Sequence, residues 1–130
     1  MLQEYRAVTK MSYEQTLKVL EEKLAEIKFG ILCKLDLPEK FKEKGLVFEG
    51  KFTIFEICNP IEAIKALELN PMVVYFLPCK IVVSERDGVG ILGMARPSSM
   101  ISELKDEGLD AFAQQIEGKL IGVMESMKSL

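Results

Sequence analysis

The 130-residue chain contains no histidine. That absence removes Ser-His and Cys-His nucleophile pairs, imidazole acid–base catalysis and the usual zinc sites of enzymes. Any catalysis must then rest on Cys, Asp, Glu, Lys, Arg or Tyr. Cysteine is scarce as well, with three residues; an odd count without an export signal does not make a structural disulfide framework. No apolar run approaches the roughly 18 residues that a membrane span needs. The opening "MLQEYRAVTK" carries Glu4, Arg6 and Lys10 and lacks the apolar core of a secretory signal. A cytoplasmic protein with no membrane partner is the expectation.

Charge of one sign is also missing. The net charge is −3, with Lys and Glu interleaved. A nucleic-acid partner is therefore not expected, because such binding comes mainly from neutralising phosphates. The lysine-dense "PEKFKEKG" has Glu39 and Glu43 among Lys40, Lys42 and Lys44 and reads as a solvated face.

What is present is ordinary for a globular protein: 48% hydrophobic and 28% charged residues. The length suits a single domain over 1–130, since two cores would leave each half marginal. After a weakly alternating first strand in "MLQEYRAVT", Ser12 and Gln15 have the spacing of a helix capping box. Tyr13, Leu17, Leu20, Leu24 and Ile27 continue at helical intervals to Gly30. "GILCKLDLP" alternates as a half-buried strand ended by Pro38, with Cys33 on its apolar face, and another strand is best placed at 51–58. Asn59 then caps a helix with Pro60 in its first turn and an apolar stripe of Ile61, Ile64 and Leu67 (or Ala63 with Leu67), stopped by Asn70-Pro71.

"MVVYFLPCKIVVSERDGVGILGMARP" reads as strand, Asp87-Gly88 turn and strand, with "MVVYF" a lead-in or edge strand broken off by Pro78. A short helical turn and a long amphipathic helix from about Leu109 follow. The order β-α-β-β-α-β-β-α predicts an α+β two-layer domain, an antiparallel or mixed sheet with helices on one face.

"GVGILG" matches the glycine spacing of a dinucleotide fingerprint, but its first glycine belongs to the Asp-Gly turn and the rest to a returning strand. No nucleotide cofactor is expected. The Arg96-Pro97-Ser98-Ser99 stretch suits a serine helix cap better than an anion site. Glu56, Glu62 and Asp36 sit near ends of elements that can converge, though no spacing fixes two acids on one face. Cysteine spacing resembles no metal motif, so no metal is expected.

Cys58 and Cys79 are the sharper candidates. Cys58 precedes the Asn59 cap, where helix amides and dipole favour a thiolate. Whether Cys79 meets it depends on topology. A parallel crossover separates them by roughly 15–20 Å, whereas a connection carrying "LNPMVVYFLP" back over the sheet brings them within disulfide range. Packing is the rival account, because free cysteines commonly fill core space.

Taken together, "KFGIL", "ICNP", "AIKAL" and "LPCKIVV" with its acidic-Gly turn resemble the domain of unknown function family 302, from about Ser12 to the C-terminal helix. The resemblance implies a small, dimeric α+β domain related in shape to the TATA-binding-protein fold unit. It marks Cys58, Asn59, Pro60, Pro78 and Cys79 as the motif positions, and implies no substrate. Cys33 stands where a hydroxyl or other small residue is expected. Two functions follow as expectations. One is a cytosolic homodimer binding a small ligand, or doing thiol or sulfur chemistry, with Cys58 attacking, Cys79 resolving, and Asn59, Pro60 and Pro78 shaping the site. The other is a non-catalytic interaction module whose cysteines only pack, using the apolar hairpin and the Met-rich C-terminal helix as its surface.

Overall fold

The computed structural model describes residues 2–130. The elements are β1 (Glu4–Val8), α1 (Tyr13–Glu26), β2 (Gly30–Asp36), α2 (Leu37–Glu43), β3 (Phe52–Cys58), α3 (Pro60–Leu69), β4 (Cys79–Arg86), β5 (Val89–Ala95), α4 (Pro97–Ile101) and α5 (Glu107–Ser126). Short 3-10 segments lie at Pro71–Phe76, Ser102–Leu104 and Met127–Ser129.

Local chemistry sets most of these boundaries. The Ser12 side chain accepts from the Gln15 amide at α1, Asn59 from Glu62 at α3, and Asp106 from Leu109 at α5. Each oxygen satisfies one of the amides that a helix start leaves without a partner. Asp87 and Gly88 both have positive φ, 52° and 81°, the conformation that a two-residue hairpin turn needs. This settles "GVGILG": Gly90 lies in β5, where an added Cβ would collide with the Thr16 side chain. Its glycine serves close helix–strand packing in a hairpin.

The strands form one sheet in the order β1-β5-β4-β3-β2, antiparallel throughout. Helices α1 and α5 pack on one face and enclose Leu20, Leu24, Phe55, Ile81, Leu92 and Leu120. Each such side chain, fully buried, contributes about 1.5–3 kcal/mol. The architecture is the expected α+β two-layer domain. Among the described residues, no long helix covers the other sheet face.

Several expectations need correction. β2 ends before Pro38 as expected, but Asp36 accepts from the Glu39 amide and opens α2 over the lysine-rich run, a helix the sequence reading did not include. "MVVYF" is the lead-in segment of the two alternatives, a 3-10 turn with Asn70 as its cap, and not an edge strand. Ile61 and Ile64 do not face the core but stand 65% and 56% exposed, and α3 buries Ala66 instead. In β2 the ladder slips between Ile31 and Cys33. Ile31 lies opposite buried Ile57, but Cys33 lies opposite Glu56 on the uncovered face. One extra residue reverses the alternation. The Met-rich end of α5 is not a surface either: Met124 and Met127 are fully buried.

Candidate functional site

The antiparallel pairing of β3 with β4 decides the cysteine question. Residues 59–78 leave the end of β3 as α3 and return through the 3-10 segment, so β4 begins where β3 ended. Cys79 lies opposite Ile57, the residue before Cys58, so the two cysteines sit at the same end of the sheet. The two cysteines line one narrow crevice with Phe29, Leu77, Phe112 and Ile116. Both are free and partly buried. Of the two routes left open by the sequence, the structure takes the one that brings them together.

Their electrostatics run against an activated thiol. Burial pushes the Cys58 thiol up. Burial, and then the neighbouring Cys58, push Cys79 up to about 11. The expected lowering by the α3 amides does not occur, and the reason is local. The Asn59 side chain itself accepts from the Glu62 amide at 3.3 Å, while desolvation favours the neutral thiol. Both thiols therefore rest protonated at neutral pH.

Cys79 also borders a wider cleft of about 410 Å³. Tyr75, Leu77 and Pro78 line it from the segment before β4, Met100 from α4, and Glu56 and Lys80 from the sheet. Glu56 and Lys80 lie opposite each other across β3 and β4. The cleft thus combines an aromatic ring, a thioether, an acid and a base around a thiol. The Leu77–Pro78 peptide is cis. Pro78 and Cys79 reach this cleft; Asn59 borders only the crevice, and Pro60 is the first residue of α3.

Sequence reasoning missed Tyr75, Lys80, Ala95 and Met100 as lining residues. No spacing signals them, because they meet only through strand register and the 3-10 return. Asp36 and Glu56 do not converge: Asp36 lies opposite Thr53, three residues along β3 from Glu56. The Arg96–Ser99 stretch is not capped by its own serines. Glu117 of α5 does this, accepting from the Ser98 amide at 3.0 Å, Ser98 Oγ at 2.7 Å and Arg96 Nη1 at 3.3 Å. The anion that this stretch attracts is a carboxylate of the chain itself. Among the described residues, no cluster of three or more His, Cys, Asp or Glu is placed to hold a metal, and no helix is long and apolar enough to cross a membrane.

Comparison with known proteins bears on this geometry. The family model described as Domain of unknown function DUF302 matches residues 5–127. The chain belongs to the DUF302 family. A solved structure with the same fold is the crystal structure of uncharacterized conserved protein DUF302 from Bacillus stearothermophilus, 35% identical with a TM-score of 0.90. That match covers 95% of this chain and 97% of the other. No curated protein matches the chain. The DUF302 match spans both cysteines and every residue named in the cleft.

Proposed function

We propose that this DUF302 protein binds a small ligand in the cleft bordered by Tyr75, Pro78, Cys79, Lys80 and Met100. The supporting observation is the cleft itself, about 410 Å³ at the "LPC" end of the sheet with mixed polar and apolar walls, a size and chemistry typical of small-molecule sites. Protonated thiols favour binding over resting-state nucleophilic catalysis. Thiol or sulfur chemistry at Cys58 and Cys79 is then a property of the occupied site, where a ligand's positive charge or base lowers their pKa values. The compartment we assign is the cytoplasm.

A fragment library screened by amide shift mapping tests the proposal. Supporting hits shift residues 56, 75–80, 95 and 100 together, and Met100→Trp, which fills the cleft, abolishes them. A library that leaves those amides unmoved, or hits that survive Met100→Trp unchanged, overturns it.

A second reading, the non-catalytic interaction module, has its own support in apolar side chains standing in water. Val47 is 86% exposed, with Leu46 and Phe48 beside it. Single exposed apolar residues need no explanation, but contiguous ones mark contact surfaces. A homodimer is part of either reading.

A further inference from the structure

An acid and a base on directly opposite residues of two antiparallel strands ordinarily pair with each other. Glu56 of β3 and Lys80 of β4 stand in that relation, and both line the cleft beside Cys79. Yet neither belongs to an ion pair among the described residues. Elsewhere in the chain, charges brought within reach do meet. Lys51 bridges Glu14 and Glu85 at 3.3 and 3.4 Å, and Lys34 reaches Glu21 and Arg96 reaches Glu117 at 3.3 Å. The Glu56 carboxylate and the Lys80 ammonium are therefore uncommitted, side by side in the wall of one cavity.

The rest of the cleft is of another kind. Tyr75, Leu77 and Pro78 from the segment before β4, and Met100 from α4, make its apolar side. Tyr75 is 79% exposed, held there by a 3-10 segment that Asn70 caps. An aromatic ring standing in water beside a cavity offers a flat face for an apolar group to pack on. The Met100 thioether is flexible and polarizable, and adapts to the shape of what lies against it.

We propose that the ligand of this cleft is an α-amino acid with an apolar side chain, its ammonium on Glu56, its carboxylate on Lys80 and its side chain against Tyr75 and Met100. This names the ligand class for the function proposed above and rests on that reading.

Charge balance selects the class. Of the residues lining the cleft, Glu56 and Lys80 carry one charge of each sign, and the Cys79 thiol is neutral at pH 7. A phosphate or dicarboxylate gains Lys80 but is repelled by Glu56, and a polyamine meets the reverse. An uncharged apolar ligand takes water from both groups and gives neither a partner. A zwitterion satisfies both with charge-assisted hydrogen bonds.

Geometry narrows it further. Side chains from directly opposed strand positions leave the backbone about 5 Å apart, so their heads reach one compact target. The ammonium and carboxylate of an α-amino acid share a single carbon and match that spacing, whereas those of a longer peptide stand at opposite ends of the molecule. The volume, about 410 Å³, lies at the small end of the roughly 300–1,000 Å³ of ligand pockets.

Matched ligands test the class. Phenylalanine and leucine are titrated into the protein and followed by amide shifts. Beside them are phenylpropanoate and isocaproate, which lack the ammonium, and phenethylamine and isopentylamine, which lack the carboxylate. At least one of the amino acids is expected to move the amides of residues 56, 75–77, 79, 80, 95 and 100 together. Each of its single-charge analogues should bind about 10-fold more weakly or worse. Glu56→Gln should remove the advantage of the amino acid over the analogue without ammonium, and Lys80→Gln its advantage over the amine. Both positions are partly open to water, and unchanged circular dichroism verifies that each variant is folded. Analogues that bind as tightly as their parent amino acids overturn the proposal, as does a preference for the zwitterion that survives both substitutions. Amino acids that leave the cleft amides unmoved while library fragments shift them overturn the zwitterion and leave the cleft a ligand site. If neither amino acids nor fragments move those amides, both proposals fall.

Discussion

Raising the pH should destabilise this protein through Cys79 in a window that its burial defines. The folded-state pKa is about 11, against about 8.5 for a free thiol. Below about pH 8.5 the thiol is protonated in both states and the full stability is present. Between the two values the unfolded chain releases a proton that the folded chain holds, so stability falls as pH rises. Two or more pKa units at 1.36 kcal/mol each make the loss about 3 kcal/mol by pH 11. Urea denaturation under reducing conditions, repeated across this range, measures the slope. Cys79→Ala removes the titrating group, so its stability should fall less steeply than the parent's. Cys58→Ala should lower the pKa of Cys79, because Cys58 is one of the groups raising it. Alkylation checks the same quantity: at pH 7 the thiolate fraction is about 1 in 10⁴, so Cys79 should label about 300-fold more slowly than a free thiol from protonation alone. Parallel stability curves for parent and Cys79→Ala, or Cys79 labelling with the pH midpoint of a free thiol, would refute the reasoning.

Other perturbations follow from packing and hydrogen bonds. Glu117→Ala strands the Ser98 amide and hydroxyl and a half-buried Arg96. It should cost about 3 kcal/mol, read by calorimetry as a melting point lower by about 10 °C. Among the described residues the Tyr5 hydroxyl is buried without a partner, so Tyr5→Phe should be neutral or stabilise by about 1 kcal/mol in chemical denaturation. Gly90→Ala drives a methyl into Thr16, whose hydroxyl donates to the Ser12 carbonyl. It should lose about 1–3 kcal/mol, with a matching rise in amide exchange near the start of α1.

The candidate site divides along the same physical line as the fold. Cys58, Asn59 and Pro60 announce a strand end and a helix start in adjacent residues, and Pro78 with Cys79 announce a strand start. Each is a local signal. Where the helix amides were expected to lower the Cys58 pKa, burial in the surrounding core raises it. The cleft was invisible because Glu56, the stretch 75–80, Ala95 and Met100 are far apart in sequence and meet only in the fold.

By itself the sequence determined the α+β class, the element order apart from α2, the Asp87-Gly88 hairpin and the cap residues Ser12 and Asn59. These depend on backbone preferences and on hydrophobic periods spanning a few residues. Only the tertiary structure decided that β3 and β4 run antiparallel, that Cys58 and Cys79 become neighbours, and that Ile61 and Ile64 point away from the core. The bulge that turns Cys33 to the open face is of the same kind. Strand order, register and burial depend on which distant surfaces bury together, and no short stretch of sequence carries that information.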